Sequence, residues 1–528
     1  MNGAHALLDA LVDAGVKVCF ANPGTSEMHL VSAIGKSDAM RPVLCLFEGV
    51  VSGAADGYAR MSGKPAITLL HLGPGYSNSM ANLHNARRAH SPLVNIVGDH
   101  ATWHHKYDAP LTSDVSAHAR IHSHWLRVTE SAEDLALAGA EAVQASMEGA
   151  GKISTLIVPA NHAWEPATKS YDRLSPPELP AVNKEHVDAA AKALNNGRRT
   201  ALLLGGHALR DRSLESAGRV AAATGAALLC ETFSARLERG AGRVPLQRIP
   251  YFPDLASEYL KEFEQMILIG AQRPVAFFAY PDVASLLVTE TCEMIELAGV
   301  DDDISATLAA LADALDAPAN AKVQQRVESA VPDGELTPAA VGDVISALLP
   351  EQAILVDEGI TCGLELFTRT QGAAPHDWLS ITGGSIGQGL PVSLGASIAC
   401  PQRKVVAFQA DGSAMYTVQT LWSMMREETD VTVVLMNNGS YAILNVELAR
   451  LKTGEPTPKT LSMLDLSNPD IDWVSIARGM QMPANRAATV AEFHQQFGEA
   501  MQTRGPCFIE VKLAPRPGAT ARSQIPDS

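Results

Sequence analysis

The sequence predicts an α/β fold built from three doubly wound parallel-sheet domains. Short runs of branched apolar residues alternate with longer alanine-rich helical stretches along the 528-residue chain, which is the signature of βαβ units. A chain of this length suggests about three domains at roughly 100–200 residues each. Two polar, turn-rich segments, 159–182 and 317–336, divide the chain into three parts.

The predicted elements follow from the same alternation. In the first part, we expect helices beginning near Ser26, Glu48 and Ser77, and strands over 16–20, 42–46, 66–70, 93–97 and 155–158. In the second part, we expect strands over 200–204, 226–229 and 266–270, with surface loops over 236–253. In the third part, we expect strands over 353–356, 378–381, 404–409, 431–436 and 507–511.

Composition and charge exclude several classes of protein. With 46% hydrophobic and 19% charged residues, the chain is neither disordered nor fibrous. It has 58 acidic and 41 basic side chains, a formal charge of −17, and no basic cluster. We therefore expect neither a nucleic-acid partner nor an anionic membrane partner. A small anion can still bind through backbone amides or a metal ion.

The cysteines and the first residues of the chain indicate the cellular compartment in which the protein is expected. Seven cysteines are scattered without a CxxC pair, as expected for free thiols in a reducing environment. No signal peptide and no uncharged apolar stretch of about 18 residues is visible, so we expect a soluble cytoplasmic protein.

The strongest chemical signal lies in the third part, at the ends of two consecutive predicted strands. The strand over 404–409 leads into Asp411, and the strand over 431–436 leads into Asn438, 27 residues after Asp411. Because parallel strands end at one edge of a sheet, both side chains are expected at the ligand-binding edge. The Asp411 carboxylate, the Asn438 amide oxygen and the Ser440 carbonyl then offer oxygen ligands to one hard cation, for which Mg²⁺ fits best.

Phosphate oxygens would complete the coordination of that cation. Backbone amides around Gly412 and Ser413, at the start of the next helix, are placed to hold phosphates. The alternative is that both segments are ordinary Asp-Gly and Asn-Gly turns, which are common at strand ends. Their joint spacing on consecutive strands favours the metal site.

These two turns resemble the thiamine diphosphate motif of the 2-oxo acid decarboxylases and carboligases, the family of benzoylformate decarboxylases and acetolactate synthase large subunits. Ala410 stands where that family usually has glycine. The resemblance implies a pyrimidine-binding domain over 1–165, a central domain over 183–320 and a diphosphate- and Mg-binding domain over 336–514. A loosely ordered tail over 515–528 is expected to follow.

The first part carries matching motifs. Glu48 begins the segment 48–60, which is similar to the family's glutamate helix and ends in Ala-x-Gly-Tyr-Ala-Arg. Taken alone, Glu48 could be an acidic residue that favours a helix N-terminus. The segment 73–78 resembles the family's Gly-Pro-Gly-x-x-Asn turn, and the segment 22–25 resembles the active-site loop of benzoylformate decarboxylases.

The resemblance also implies further contacts with the cofactor. The Gly384 carbonyl would accept from the aminopyrimidine and Ile386 would form a wedge beneath the cofactor, although Ile386 alone would be interpreted as plain core. The turn at Gly359 matches a diphosphate-binding turn by position. The implied cofactor-binding residues are Glu48, Gly359, Ile360, Thr361, Gly384, Ile386, Asp411, Gly412, Ser413, Asn438, Ser440 and Tyr441.

Substrate handling is inferred from the same comparison. His71 aligns with the active-site histidine of benzoylformate decarboxylases and is assigned proton relay, because histidine titrates near neutrality; a structural histidine in the turn is the alternative. Thr25 takes the place of a substrate-binding serine, so the catalytic residues are predicted to be Glu48, His71 and Thr25. The second catalytic histidine of benzoylformate decarboxylases is absent from the equivalent stretch of this chain, 273–280. The predicted substrate pocket comprises Asn22, Thr25, His71, Leu111, Phe277 and Phe278.

The implied reaction is thiamine diphosphate- and Mg²⁺-dependent decarboxylation of a 2-oxo acid, with protonation or carboligation of the enamine. One alternative is a lyase of 2-hydroxyacyl thioesters, which the lack of a basic segment after Val511 disfavours. Another is an inactive regulatory or binding homologue, which the retention of Glu48, Asp411 and Asn438 disfavours. A dinucleotide-dependent dehydrogenase would need a Gly-x-Gly-x-x-Gly turn after a strand, and none is so placed.

Two further expectations concern a second cofactor and the oligomeric state. The central domain carries no motif for a flavin, so FAD, which some relatives bind, stays open as a cofactor without support. In this family the cofactor bridges the first domain of one subunit and the third domain of another. We therefore expect a homodimer or a dimer of dimers.

Overall fold

We describe the fold from a computed structural model, which covers residues 1–168, 171, 174–330 and 332–513. Three sheets of six, five and seven strands follow one another along the chain, with helices between their strands. The predicted parallel-sheet α/β fold is therefore confirmed. The tail expected over 515–528 lies outside the described residues.

The first sheet has the strand order β2-β1-β3-β4-β6-β5, and its strands pair in parallel. Its strands are β1 (Val18–Ala21), β2 (Arg41–Leu44), β3 (Ala66–His71), β4 (Leu93–Asp99), β5 (Trp125–Val128) and β6 (Ile153–Pro159). The helices are α1 (Gly3–Asp13), α2 (Met28–Gly35), α3 (Glu48–Ser62), α4 (Leu72–Arg88), α5 (Val115–Arg120), α6 (Leu135–Ser146) and α7 (Ala160–Trp164).

Two expectations for this part need correction. Helix α4 begins at Leu72 rather than near Ser77, because proline and glycine are tolerated in the first turn of a helix, where the backbone N–H groups have no partner within the helix. The short helix α7 occupies the start of the segment that was expected to be a linker. Strand β5 was not predicted.

The second sheet has the order β10-β8-β7-β11-β12 and is also parallel. The elements of this part are α8 (Lys184–Leu194), β7 (Thr200–Leu204), α9 (Asp211–Thr224), β8 (Ala227–Cys230), β9 (Leu237–Arg239), β10 (Gln247–Arg248), α10 (Pro253–Leu260), β11 (Gln265–Ile269), β12 (Glu293–Ala298) and α11 (Ile304–Ala314).

The expectation of surface loops over 236–253 is wrong. Its strand β9 is buried and pairs antiparallel with the strand of the third sheet that contains Trp378. In this pairing, Leu237 lies opposite Trp378. Inside it, Arg239 stacks on the Phe367 ring, 3.7 Å from the ring centroid. The segment has no periodicity because its strands are only two or three residues long.

The third sheet has the order β17-β18-β16-β15-β13-β14-β9. The elements of this part are α12 (Pro338–Leu348), β13 (Ala353–Glu358), α13 (Leu366–Arg369), β14 (His376–Ser380), α14 (Gly389–Ala399), β15 (Val405–Ala410), α15 (Asp411–Ala414), α16 (Thr420–Arg426), β16 (Val431–Asn437), α17 (Ala442–Arg450), α18 (Pro458–Ser462), α19 (Trp473–Gly479), β17 (Ala484–Ala487), α20 (Val490–Gln502) and β18 (Cys507–Lys512).

The chain forms two compact units. One comprises Met1–Pro180, Ile381–Val405 and Thr417–Val431, and the other comprises the remaining described residues. The predicted boundaries of three domains stay a prediction. Among the described residues, no helix is both long and apolar enough to cross a membrane.

Within the first unit, α3 and α14 pack at very short range. A Cβ on Gly57 would lie 2.1 Å from the carbonyl oxygen of Val392, and one on Gly395 would lie 1.8 Å from the carbonyl oxygen of Ala54. Glycine is therefore needed at both positions for backbone to meet backbone. This contact holds α3, and with it Glu48 at the start of the helix, in a fixed position.

Candidate active site

Glu48 is the first residue of α3 and is 7% exposed. Its Oε2 accepts a hydrogen bond from Asn78 Nδ2 over 3.0 Å. Within the described residues, no other side chain bonds to this carboxylate, and Gly75 leaves space beside Oε1, 3.3 Å from where its Cβ would lie. One oxygen is thus held in place while the other is available to a ligand.

A second carboxylate, Glu27, lies next to His71. Glu27 is fully buried, and its Oε2 lies 2.8 Å from His71 Nδ1 and accepts from the N–H of Gly24 over 2.7 Å. Ser26 Oγ donates to Oε1 over 2.6 Å. If Nδ1 donates in this contact, the Glu27 carboxylate orients the ring and Nε2 is the nitrogen that could exchange a proton.

We expect Glu27→Gln to lower kcat by about 10- to 100-fold and to shift its pH profile, because the amide can still accept from the His71 ring but removes the negative charge beside it. The measurement is kcat between pH 5 and 9. Glu148→Gln is the matched control, since Glu148 forms an exposed pair with His124 at 3.0 Å. An unchanged profile in Glu27→Gln would show that His71 is structural.

The other predicted pocket residues of this unit are more accessible. Thr25 starts a 3₁₀ turn and is exposed, Asn22 is half-buried, and Leu111 is exposed. Gly384 is also exposed and Ile386 is half-buried, so the interpretation of Ile386 as plain core is not supported.

In the second unit, the turns that follow β15 and β16 meet at Asp411. This residue is 2% exposed, and its carboxylate accepts from the N–H of Gly412 and from the N–H of Gly439, both over 2.8 Å. Burial raises the pKa of Asp411 to about 6, against the lowering effect of these N–H groups. In the described part of the chain, no lysine or arginine neutralises this carboxylate.

Asn438 and Ser440 complete the predicted metal-ligating set. Asn438 Oδ1 accepts from the N–H of Ser440 over 3.0 Å, and Gly439 between them has a φ of +64°. A carboxylate, an amide oxygen and a carbonyl are the oxygen donors that Mg²⁺ prefers, and Asp411 supplies the carboxylate from a buried position. The residues present therefore fit the ion.

No group of three or more His, Cys, Asp or Glu side chains that could hold a metal ion occurs among the described residues. The predicted set is consistent with this finding, because Asp411 is its one member of these types. Phosphate oxygens would have to supply the remaining ligands.

The turn after β13 packs against the turns that follow β15 and β16. Asn438 Nδ2 lies 3.9 Å from Cys362 Sγ, and Ser413 Oγ donates to the carbonyl of Glu358 over 3.4 Å. The predicted contact residue Thr361 lies in this turn, and Ile360 has a φ of +51°, which is strained for a β-branched residue. Such strain is typical of functional turns.

Two glycines allow these turns to pack. A Cβ on Gly359 would lie 2.3 Å from the ring of Phe408, and one on Gly412 would lie 2.4 Å from the ring of Tyr441. Tyr441, predicted to contact the cofactor, therefore covers the Asp411 turn.

Phe277 and Phe278 are 42% and 55% exposed and lie next to each other, with ring centroids 5.2 Å apart. Their segment is joined to α17 by Tyr280, whose hydroxyl donates to Glu447 Oε1 over 3.0 Å. Helix α17 begins directly after Tyr441. The aromatic pair is thus tied to the helix that follows the predicted metal turn.

Comparison with known proteins gives consistent matches. The N-terminal TPP binding domain of thiamine pyrophosphate enzymes matches residues 1–121, and the C-terminal TPP binding domain matches residues 364–511. A Mycobacterium tuberculosis protein, named provisionally as the acetolactate synthase large subunit IlvX, is 49% identical over 512 residues, 97% of this chain and 99% of that protein. Benzoylformate decarboxylase of Pseudomonas aeruginosa is 27% identical over 528 residues, 94% of this chain and 96% of that protein.

Solved structures show the same fold. The thiamine diphosphate-dependent 4-hydroxybenzoylformate decarboxylase of Rhodococcus jostii RHA1 has a TM-score of 0.86 at 24% identity, covering 98% of this chain and 100% of that one. Fold, site and similarities together define a cofactor-dependent α/β enzyme. The chain belongs to the thiamine pyrophosphate enzyme family and is a thiamine diphosphate-dependent enzyme.

Proposed function

We propose that the enzyme decarboxylates a 2-oxo acid with thiamine diphosphate and Mg²⁺, and then releases an aldehyde by protonation or joins the remaining acyl carbon to a second carbonyl compound. The observation that carries this proposal is the Glu48 carboxylate, which is almost buried, held by Asn78 and open at one oxygen. The names of the relatives, a benzoylformate decarboxylase and an acetolactate synthase large subunit, support the same substrate class.

The bound cofactor supplies an electron sink for the carbanion left when CO₂ departs. The protein's contribution is placement and proton control. Glu48 would share a proton with the pyrimidine ring through its open oxygen, and the Gly384 carbonyl would accept from the amino group. Mg²⁺ would be held by Asp411, Asn438 and Ser440.

The diphosphate would lie against backbone N–H groups of the turns at Gly359 and Gly412. On the substrate side, His71 with its Glu27 partner is the group suited to proton exchange. Phe277 and Phe278 lie in the stretch 273–280, which lacks the second catalytic histidine of benzoylformate decarboxylases, so that histidine would not supply a proton here. That difference leaves carboligation as open as aldehyde release.

On this proposal, a single chain does not carry a complete site, and the site forms only in an assembly of chains. The cofactor would contact Glu48 of one chain and Asp411 of another, which requires a homodimer or a dimer of dimers. Sedimentation of the holoenzyme at assay concentration is expected to show no active monomer. An active monomer would contradict the assignment of the two sets of residues to one shared site.

Product identification tests the reaction. The holoenzyme is incubated with aliphatic and aromatic 2-oxo acids, with and without a second carbonyl compound, and the organic products are identified by mass. We expect an aldehyde or a hydroxy ketone or hydroxy acid that contains the decarboxylated fragment. Intact 2-oxo acids throughout, with cleavage of a 2-hydroxyacyl thioester instead, would favour the lyase alternative.

A further inference from the structure

Helix α4 presents three asparagines along one face. Asn78, Asn82 and Asn85 follow one another at intervals of four and three residues, so they form one stripe on the helix. Asn82 is 3% exposed and Asn85 is fully buried, and Asn85 Nδ2 donates to Asn82 Oδ1 over 3.1 Å. Asn78 at one end of the stripe holds the Glu48 carboxylate. The other two reach the loop 383–387.

Asn85 binds both backbone polar groups of a single residue in that loop. Its Nδ2 donates to the Ser385 carbonyl over 2.7 Å, and its Oδ1 accepts from the Ser385 N–H over 3.2 Å. Asn82 Nδ2 donates to the carbonyl of Gly387 over 3.3 Å. Helix α4 thus holds the loop at its centre and at its end.

This pairing fixes two peptide planes. Within a planar trans peptide, the carbonyl of one residue and the N–H of the next point in opposite directions. The Ser385 N–H shares a plane with the Gly384 carbonyl, so drawing that N–H to Asn85 turns the carbonyl away from α4. The Ser385 carbonyl shares a plane with the Ile386 N–H, so the second hydrogen bond orients the backbone at Ile386.

The loop needs such a restraint because of its glycines. Gly384 has a φ of +75° and Gly387 a φ of +94°, values that glycine adopts and leaves at little cost. At Gly383, a Cβ would lie 2.6 Å from Asn85 Oδ1, so the close approach of the loop to α4 also depends on glycine. The backbone is permissive, and side chains restrain it: Asn85 holds Ser385, His84 Nε2 lies 3.1 Å from the Gly383 carbonyl oxygen, and the Thr417 hydroxyl donates to the Gly387 carbonyl over 2.9 Å.

We infer that Asn85, braced by Asn82, is a positioning residue that aims the Gly384 carbonyl at the amino group of the cofactor's pyrimidine. The inference rests on the proposed function, which assigns that contact to Gly384. Asn85 itself touches neither cofactor nor substrate in this role. Its effect is transmitted through the two peptide planes beside Ser385.

A binding experiment tests this inference without reference to turnover. The affinities of thiamine diphosphate and of an analogue that lacks the 4′-amino group are measured by calorimetry in the presence of Mg²⁺. We expect the wild type to bind the complete cofactor about fivefold to tenfold more tightly, the effect of about one hydrogen bond. In Asn85→Ala, this preference is expected to fall below about twofold, because the carbonyl is no longer aimed.

Control variants separate positioning from stability. Asn95 is equally buried and bonds to Thr68 over 2.6 Å and to Thr155 over 3.0 Å within the sheet, so Asn95→Ala is expected to lower Tm and keep the preference. Asn82→Ala leaves the two Asn85–Ser385 hydrogen bonds in place but removes the brace, together with the Asn82 Nδ2 hydrogen bonds to the carbonyls of Gly49 over 2.8 Å and Gly387 over 3.3 Å. It is expected to lose part of the preference, which keeps the test available if Asn85→Ala does not fold.

The outcomes distinguish the inference from the proposed function. Equal binding of both compounds by the wild type, or a full preference retained in folded Asn85→Ala or Asn82→Ala, would overturn the inference. A preference that depends on Asn85, in a protein that releases no CO₂ from any 2-oxo acid, would support the inference and count against the proposed function alone.

Discussion

Glu48→Gln is expected to lower kcat by about two to four orders of magnitude, the usual contribution of a positioned acid–base group. Glutamine keeps the size of the side chain and still offers Asn78 an acceptor, but it cannot take and return a proton. Cofactor affinity is expected to change far less than kcat, because the proposed metal and diphosphate contacts are assigned to other residues. The measurement is single-turnover and steady-state CO₂ release at saturating cofactor.

The matched control for this variant is Glu185→Gln. Glu185 lies in the first turn of α8 and is exposed, so it has the helix-terminal setting of Glu48 without its burial. If Glu48 served only the helix dipole, both variants would lose at most about 1 kcal/mol of stability and keep full activity. Undiminished turnover in Glu48→Gln would defeat the proposed proton transfer.

Asp411→Asn is expected to abolish Mg²⁺-dependent cofactor binding. The wild-type apoprotein buries a carboxylate whose described partners are two N–H groups, which is a costly arrangement without a cation. A neutral side chain of the same shape removes the buried charge, but its NH₂ group would face one of the two N–H donors, so these two effects on the Tm of the apoprotein oppose each other. The stabilisation that Mg²⁺ and thiamine diphosphate give the wild type, about 3–4 kcal/mol at 100- to 1,000-fold excess over Kd, should disappear.

Thermal unfolding with and without Mg²⁺ and cofactor measures this effect. Asp470→Asn is the control, because Asp470 is exposed and pairs with Lys512 over 2.8 Å. A variant at Asp411 that retains the full ligand-induced rise in Tm would show that its carboxylate serves only to hold the Gly439 turn.

The sequence was most informative where chemistry is local. Glu48 at the start of a helix, and Asp411 and Asn438 at the ends of strands, follow from patterns within about 30 residues, and the structure brings the last two turns together at Asp411. The class of enzyme followed from the same motifs. Periodicity also predicted most strands to within a few residues.

Long-range partners could not be predicted in this way. Glu27 meets His71 across 44 residues and Asn85 meets Ser385 across 300, and no local pattern marks an asparagine that will hold a distant backbone. Helix α4 was predicted too short because Gly73 and Pro74 are usual helix breakers, although the first turn accepts them. Strand β9 was not predicted because a run of three residues shows no periodicity, and it forms a strand only by pairing with β14.

The most direct test of the central claim is CO₂ release from a panel of 2-oxo acids by the enzyme with and without thiamine diphosphate and Mg²⁺. We predict that at least one acid yields one CO₂ for each molecule consumed, only when both cofactors are present, and that Glu48→Gln reduces the rate at least 100-fold. An enzyme that binds the cofactor but releases no CO₂ from any member of the panel would contradict the account.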